Sequence, residues 1–143
     1  MAAVTKVFVL DASVTVAWCF EDEASAFTEG VLELLSAGGE AFVPSIWPLE
    51  VANALLVAER RKRITVAKVT ALLNRIAGLP IAVRQIDPKQ AFEQILPLAR
   101  QLGLSQYDAA YLAIAVRENL PLATLDGELR RAALAVGVDL VEV

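Results

Sequence analysis

Residues 4–13 read VTKVFVLDAS: β-branched and aliphatic side chains without the polar alternation of a half-exposed strand, halted abruptly at Asp11. A run of this kind suits a strand buried on both faces, and Val4–Leu10 is expected to be the centre of a parallel sheet. Outward from it, helix-period and strand-like segments alternate. Helices are expected at Ala12–Phe20, Ala24–Ala37, Trp47–Arg60, Val66–Ala77, Pro88–Leu102 with a bend at Pro97, Tyr107–Glu118 and Glu128–Val136. Further strands are expected at Ala41–Val43, Ile81–Val83, Leu120–Thr124 and Val138–Val141. Gly38, Gly103 and Gly137 sit where helices must stop, and Pro48 falls in a first helical turn, where its missing N–H costs nothing. Strands this far apart cannot be hairpins. The pattern predicts a three-layer α/β/α sandwich with a central parallel sheet, one domain over residues 1–143.

Composition narrows the chemistry. The 143 residues carry 17 acidic and 13 basic side chains, a formal charge of −4, and 57% are hydrophobic. That excludes disorder and argues against a general polyanion binder, and the apolar surplus points to a protein–protein interface. The single cysteine, Cys19, excludes a disulfide framework and a cysteine zinc site. No histidine exists, so no histidine base, triad or metal ligand is available. No apolar run is long enough to span a bilayer, no cleavable leader is evident, and the chain reads as cytoplasmic.

What remains is carboxylate chemistry. Ligands of parallel sheets bind at the carboxyl ends of the strands. Asp11 follows the first strand and Asp126 lies just beyond Leu120–Thr124. Asp108 shares a helical face with Tyr111, Leu112 and Ala115, and Glu50 shares one with Trp47, Ala54 and Val57. Each acid also has a purely structural reading. Asp11 and Asp126 can cap the helices they precede, Ser105 to Asp108 fits a capping box, and Glu50 suits the dipole of a first turn. Asp87-Pro88 has the same cap signature and is read as structural only. Four carboxylates gathered together repel, by roughly 4 kcal/mol per pair at 4 Å and an effective dielectric of 20, so the group demands cations or shared protons. Oxygen donors alone select a hard ion, Mg²⁺ or Mn²⁺, able to activate water and neutralise phosphate. Ser13 and Thr124 are candidate accessories that orient carboxylates, or ordinary backbone-bonding hydroxyls.

With these residues placed, the sequence resembles the PIN-domain family, and within it the VapC toxins. The resemblance is carried by Val9-Leu10-Asp11-Ala12-Ser13, Val43-Pro44-Ser45, Glu50-Val51-Ala52-Asn53-Ala54-Leu55, Tyr107-Asp108-Ala109-Ala110-Tyr111-Leu112-Ala113 and Leu122-Ala123-Thr124-Leu125-Asp126. It implies a Mg²⁺-dependent endoribonuclease, with Mn²⁺ as a substitute, held inactive by a VapB-like antitoxin and dimeric with itself. It implies Asp11 and Asp108 as the most direct metal ligands, completed by Glu50 and Asp126.

Arg60, Arg61, Lys62 and Arg63 form a basic cluster that could grip RNA phosphates or simply end a helix in solvent. Arg130 and Arg131 carry the same two readings beside Asp126; Trp18 and Trp47 could stack bases but sit at core spacing. A competing reading is a non-catalytic interaction or signalling module with a Mg²⁺-binding acidic pocket. A phosphoacceptor of that type needs a lysine at a late strand end, and none of the four lysines is there. A phosphatase with an aspartyl nucleophile would need a second acid where Ser13 stands.

Overall fold

The structure is a computed structural model and describes residues 6–143; Val4 and Thr5 of the expected first strand lie outside the described residues. Four parallel strands, β1 (Val7–Leu10), β2 (Glu40–Pro44), β3 (Ile81–Arg84) and β4 (Leu122–Ala123), form one sheet in the order β3-β2-β1-β4. The central position of β1 follows from its side chains: Phe8, Val9 and Leu10 are completely buried. It pairs with β2 from Val7–Glu40 to Val9–Phe42, and with β4 through Val9–Leu122 and Leu10–Ala123.

Helices flank this sheet: α1 (Ala12–Ala17), α2 (Ala26–Ser36), α3 (Trp47–Arg60), α4 (Val66–Ala77), α5 (Leu96–Leu102), α6 (Gln106–Glu118) and α7 (Gly127–Ala135). α6 crosses β1, β2 and β4, and it is the most buried helix because Ala109 to Leu112, Ile114 and Ala115 all face inward. α3 packs on α1, where the Trp47 indole N–H donates to Thr15 Oγ1 at 3.1 Å. The expected α/β/α sandwich is therefore what forms. The chain winds from β1 outward through β2 to β3, then returns to place β4 on the opposite side of β1. The winding direction thus reverses between β1 and β4, and such a reversal opens a crevice at the strands' carboxyl ends.

Several expected boundaries need correction. The helix expected over Ala12–Phe20 ends at Ala17, because the chain turns Cys19 and Phe20 into the core and the Trp18 indole N–H donates to the Thr28 carbonyl at 2.7 Å. α2 starts at Ala26, not Ala24, because the Ser25 and Thr28 hydroxyls cap each other's backbone N–H. β4 is shorter than Leu120–Thr124. The Leu120 N–H closes α6 on the Ala115 carbonyl and Pro121 has no N–H, so the ladder starts at Leu122. Val138–Val141 forms only a bridge, Leu122 to Leu140, because its partner strand offers two residues. The bend expected at Pro97 is resolved one turn earlier, where Gln90–Ile95 is a wide π-helical turn leading into α5. Pro97 cannot donate to the Glu93 carbonyl, and the widened turn absorbs the broken register.

Gly39 joins α2 to β2 through a close backbone approach. A Cβ there would lie 2.6 Å from the Leu34 carbonyl oxygen and 3.2 Å from that of Lys6. Gly39→Ala is expected to cost about 1–3 kcal/mol as an overpacked site. The check is a lower urea midpoint with an unchanged slope; an unchanged midpoint would show that the loop yields freely.

Candidate metal and nuclease site

Carboxylates gather at the carboxyl ends of β1 and β4. Asp11 leaves β1 in an extended conformation at the N-cap position of α1, but its side chain makes no cap hydrogen bond. Its Oδ2 instead accepts from the Ser13 hydroxyl at 2.6 Å and from the Thr124 hydroxyl at 2.7 Å. Each hydroxyl in turn accepts a backbone N–H at 3.0 Å, Ser13 from Leu125 and Thr124 from Asp126. The β4–α7 loop is thereby fastened to one oxygen of Asp11. Burial pushes the Asp11 carboxyl above its ordinary value against the pull of these two donors, and the charge of Asp126 adds to the rise.

Asp126 takes the capping role that the sequence allowed and also stands beside the other acids. Its Oδ1 caps α7 by accepting the Glu128 N–H at 2.9 Å, while its charge acts on Asp11 and Asp108. Asp108 stands in the first turn of α6, whose N-terminus is capped by the Ser105 hydroxyl accepting the Asp108 N–H at 3.1 Å. Its carboxyl is raised by burial, then by Asp126 and Asp11. Glu50 comes from the first turn of α3, half-buried, and is raised by burial and by Asp11 and Asp108 despite a 2.7 Å hydrogen bond donated by the Tyr111 hydroxyl. Asp87, by contrast, only exchanges capping hydrogen bonds with Gln90.

Asp11, Glu50 and Asp108 thus each feel the charge of neighbouring acids, and among the described residues no basic side chain forms an ion pair with any of the four. Nor, among the described residues, do three carboxylates converge into a ready-made metal cage. That combination fits Mg²⁺ better than an ion needing full protein coordination. Mg²⁺ dehydrates reluctantly, keeps several waters, and is held by one or two carboxylates together with substrate phosphates.

The basic cluster lies elsewhere. Arg60 ends α3 ten residues beyond Glu50, roughly 15 Å along the axis at 1.5 Å per residue. Arg63 is engaged with Asp22 and Glu23 and lies 4.5 Å from the centroid of the Phe20 ring. Arg130 is turned back onto the Thr124 carbonyl at 3.1 Å, and Arg131 pairs with Glu128. Trp47 is buried and Trp18 packs against the core. Tyr111 is the residue beside the acids to which the sequence assigns no role, placing it only in an apolar stripe and in the segment that carries the family resemblance. The available signal was a lone hydroxyl among aliphatic side chains one turn from Asp108, because a buried tyrosine needs a partner for its O–H.

Comparison with known proteins bears on this geometry. The family model described as the PIN domain matches residues 8–134. No curated protein matches the chain. Among solved structures, PAE2754 from Pyrobaculum aerophilum is similar with a TM-score of 0.69 and 23% identity, over 90% of this chain and 79% of that one. VapBC2 from Rickettsia felis has a TM-score of 0.65 and 16% identity, over 94% and 97%. FitAcB from Neisseria gonorrhoeae has a TM-score of 0.63 and 18% identity, over 94% and 96%.

Proposed function

The chain belongs to the PIN-domain family, and on that premise we propose that it is a Mg²⁺- or Mn²⁺-dependent endoribonuclease, the toxin of a VapBC-type pair. One observation carries the chemical part: carboxylates from β1, α3, α6 and the start of α7 gather where the strands end, burial and neighbouring acids raise Asp11, Glu50 and Asp108, and among the described residues none of the four is in an ion pair. Asp11 and Asp108 would hold the ion directly, with Asp126 and Glu50 completing the pocket directly or through water. When bound, such an ion makes a water nucleophilic near neutral pH and neutralises phosphate oxygens. The protein's own contribution is placement. Ser13 and Thr124 fix one oxygen of Asp11 and leave Oδ1 outside their clamp, and the capped starts of α6 and α7 set where Asp108 and Asp126 stand.

The antitoxin partner rests on the likeness to VapBC2 and FitAcB and on the sequence resemblance. A homodimer is supported by exposed apolar surface. Leu49 and Tyr107, 67% and 61% exposed, line a groove of about 350 Å³ with Ile46, Ile86 and Ile95, and Phe92 is 69% exposed on the neighbouring turn. No described helix is long and apolar enough to cross a membrane.

The direct test is cleavage of purified transfer and ribosomal RNA in EDTA, Mg²⁺ and Mn²⁺, with Asp108→Asn purified in parallel. Discrete fragments that need the metal and vanish in the variant are expected. Metal-independent cleavage, or equal cleavage by the variant, would overturn the reading.

The basic cluster belongs to the same proposal as a distal phosphate contact. Replacing Arg60, Arg61 and Lys62 by Ala is expected to flatten the salt dependence of RNA binding by about 0.7 in log–log slope for each lost contact to a single strand. Arg63 is left intact because of its contacts with Phe20, Asp22 and Glu23. An unchanged slope would mean that the cluster is only a solvated helix end.

A further inference from the structure

We propose that Tyr111 is a positioning residue, its hydroxyl fixing the Glu50 carboxylate for divalent-cation binding; the inference rests on the nuclease reading above. The ring is completely buried, and the hydroxyl donates to Glu50 Oε1 at 2.7 Å. Tyr111 also lies three residues after Asp108, on the same face of α6. One phenol oxygen therefore ties α6, which carries Asp108, to α3, which carries Glu50. Without it, Glu50 would be a flexible side chain in a first helical turn, with both oxygens free to turn toward solvent and away from the other acids. The hydroxyl occupies one oxygen and leaves the other for the pocket.

The alternative is a core tyrosine whose hydroxyl merely finds an acceptor. The experiment that separates them measures the Mg²⁺ concentration at which the melting temperature of Tyr111→Phe responds, in the wild-type and Glu50→Gln backgrounds. Phe keeps the ring packing. Removing the hydrogen-bond partner of a metal-ligating side chain typically weakens metal binding 10–100-fold. A rise of roughly tenfold in the Mg²⁺ midpoint is expected for Tyr111→Phe alone, with little further change when it is added to Glu50→Gln. A matching loss of RNA cleavage at limiting Mg²⁺, recovered at high Mg²⁺, should accompany it. A lower basal melting temperature with an unchanged Mg²⁺ midpoint would overturn the proposal in favour of a structural role. An equal effect in both backgrounds would show that Tyr111 does not act through Glu50. Wild-type protein whose melting and RNA cleavage both ignore Mg²⁺ would instead overturn the nuclease reading, and this inference with it.

Discussion

Asp11→Asn is expected to lower metal-dependent RNA cleavage by about three orders of magnitude while leaving the fold intact. The size follows from what a carboxylate-held cation contributes. Several kcal/mol of transition-state charge stabilisation, at 1.36 kcal/mol per tenfold in rate, amounts to roughly a thousandfold. The preserved fold follows from the local hydrogen bonds. Ser13 and Thr124 both donate to one oxygen of Asp11, and the amide oxygen of Asn can accept the same two bonds. The substitution therefore removes a charge more than it removes a shape. Asp87→Asn is the matched control. It caps the turn at Gln90 as Asp87 does, and Asn is as good a cap as Asp, so activity should stay within about twofold. Asp126→Asn should likewise keep its α7 cap while losing activity, which would separate the cap from the metal role proposed for it. Full cleavage by Asp11→Asn, in preparations free of other nucleases, would place the chemistry elsewhere.

The positions of Asp11, Asp108 and Asp126 were legible because each is set by a local rule: strand end, helix first turn, cap. The same locality explains the agreement at α3 and α4, whose ranges Trp47–Arg60 and Val66–Ala77 match their periodicity residue for residue. What one strand could not reveal was length imposed by a neighbour. β4 is cut to two residues by the closing turn of α6 and by Pro121, and that in turn reduces Val138–Val141 to a bridge. The choice between cap and site at Asp11 was equally out of reach. It depends on Thr124, 113 residues away, supplying a donor that outcompetes the α1 backbone. Tyr111 to Glu50, 61 residues apart, is the same case. Spacing marks such hydroxyls as candidates, but which carboxylate each one meets is set by elements far apart in the chain.

The second large effect should appear in stability. Burial raises the carboxyls of Asp11, Glu50 and Asp108 in the folded protein, whereas the unfolded chain holds them at ordinary values. The folded state thus binds these protons more tightly. Their contribution is fully present below the unfolded values near 4 and is lost as pH rises through the raised folded values. Metal-free protein should accordingly gain melting temperature from Asp11→Asn near pH 8 and gain little near pH 4. On the proposed function Mg²⁺ is expected to reverse the sign, because it would bind the deprotonated acids and only in the folded state. At a hundred times its dissociation constant it would add about 2.7 kcal/mol, or roughly 5–10 °C for a domain of this size. Melting curves from pH 4.5 to 8, in EDTA and in Mg²⁺, for wild type and Asp11→Asn, test both halves. The variant should be the more stable protein in EDTA at high pH and the less stable one in Mg²⁺. Parallel curves in EDTA would mean that the Asp11 charge is already balanced within the fold, and a cation would then have no electrostatic reason to bind there.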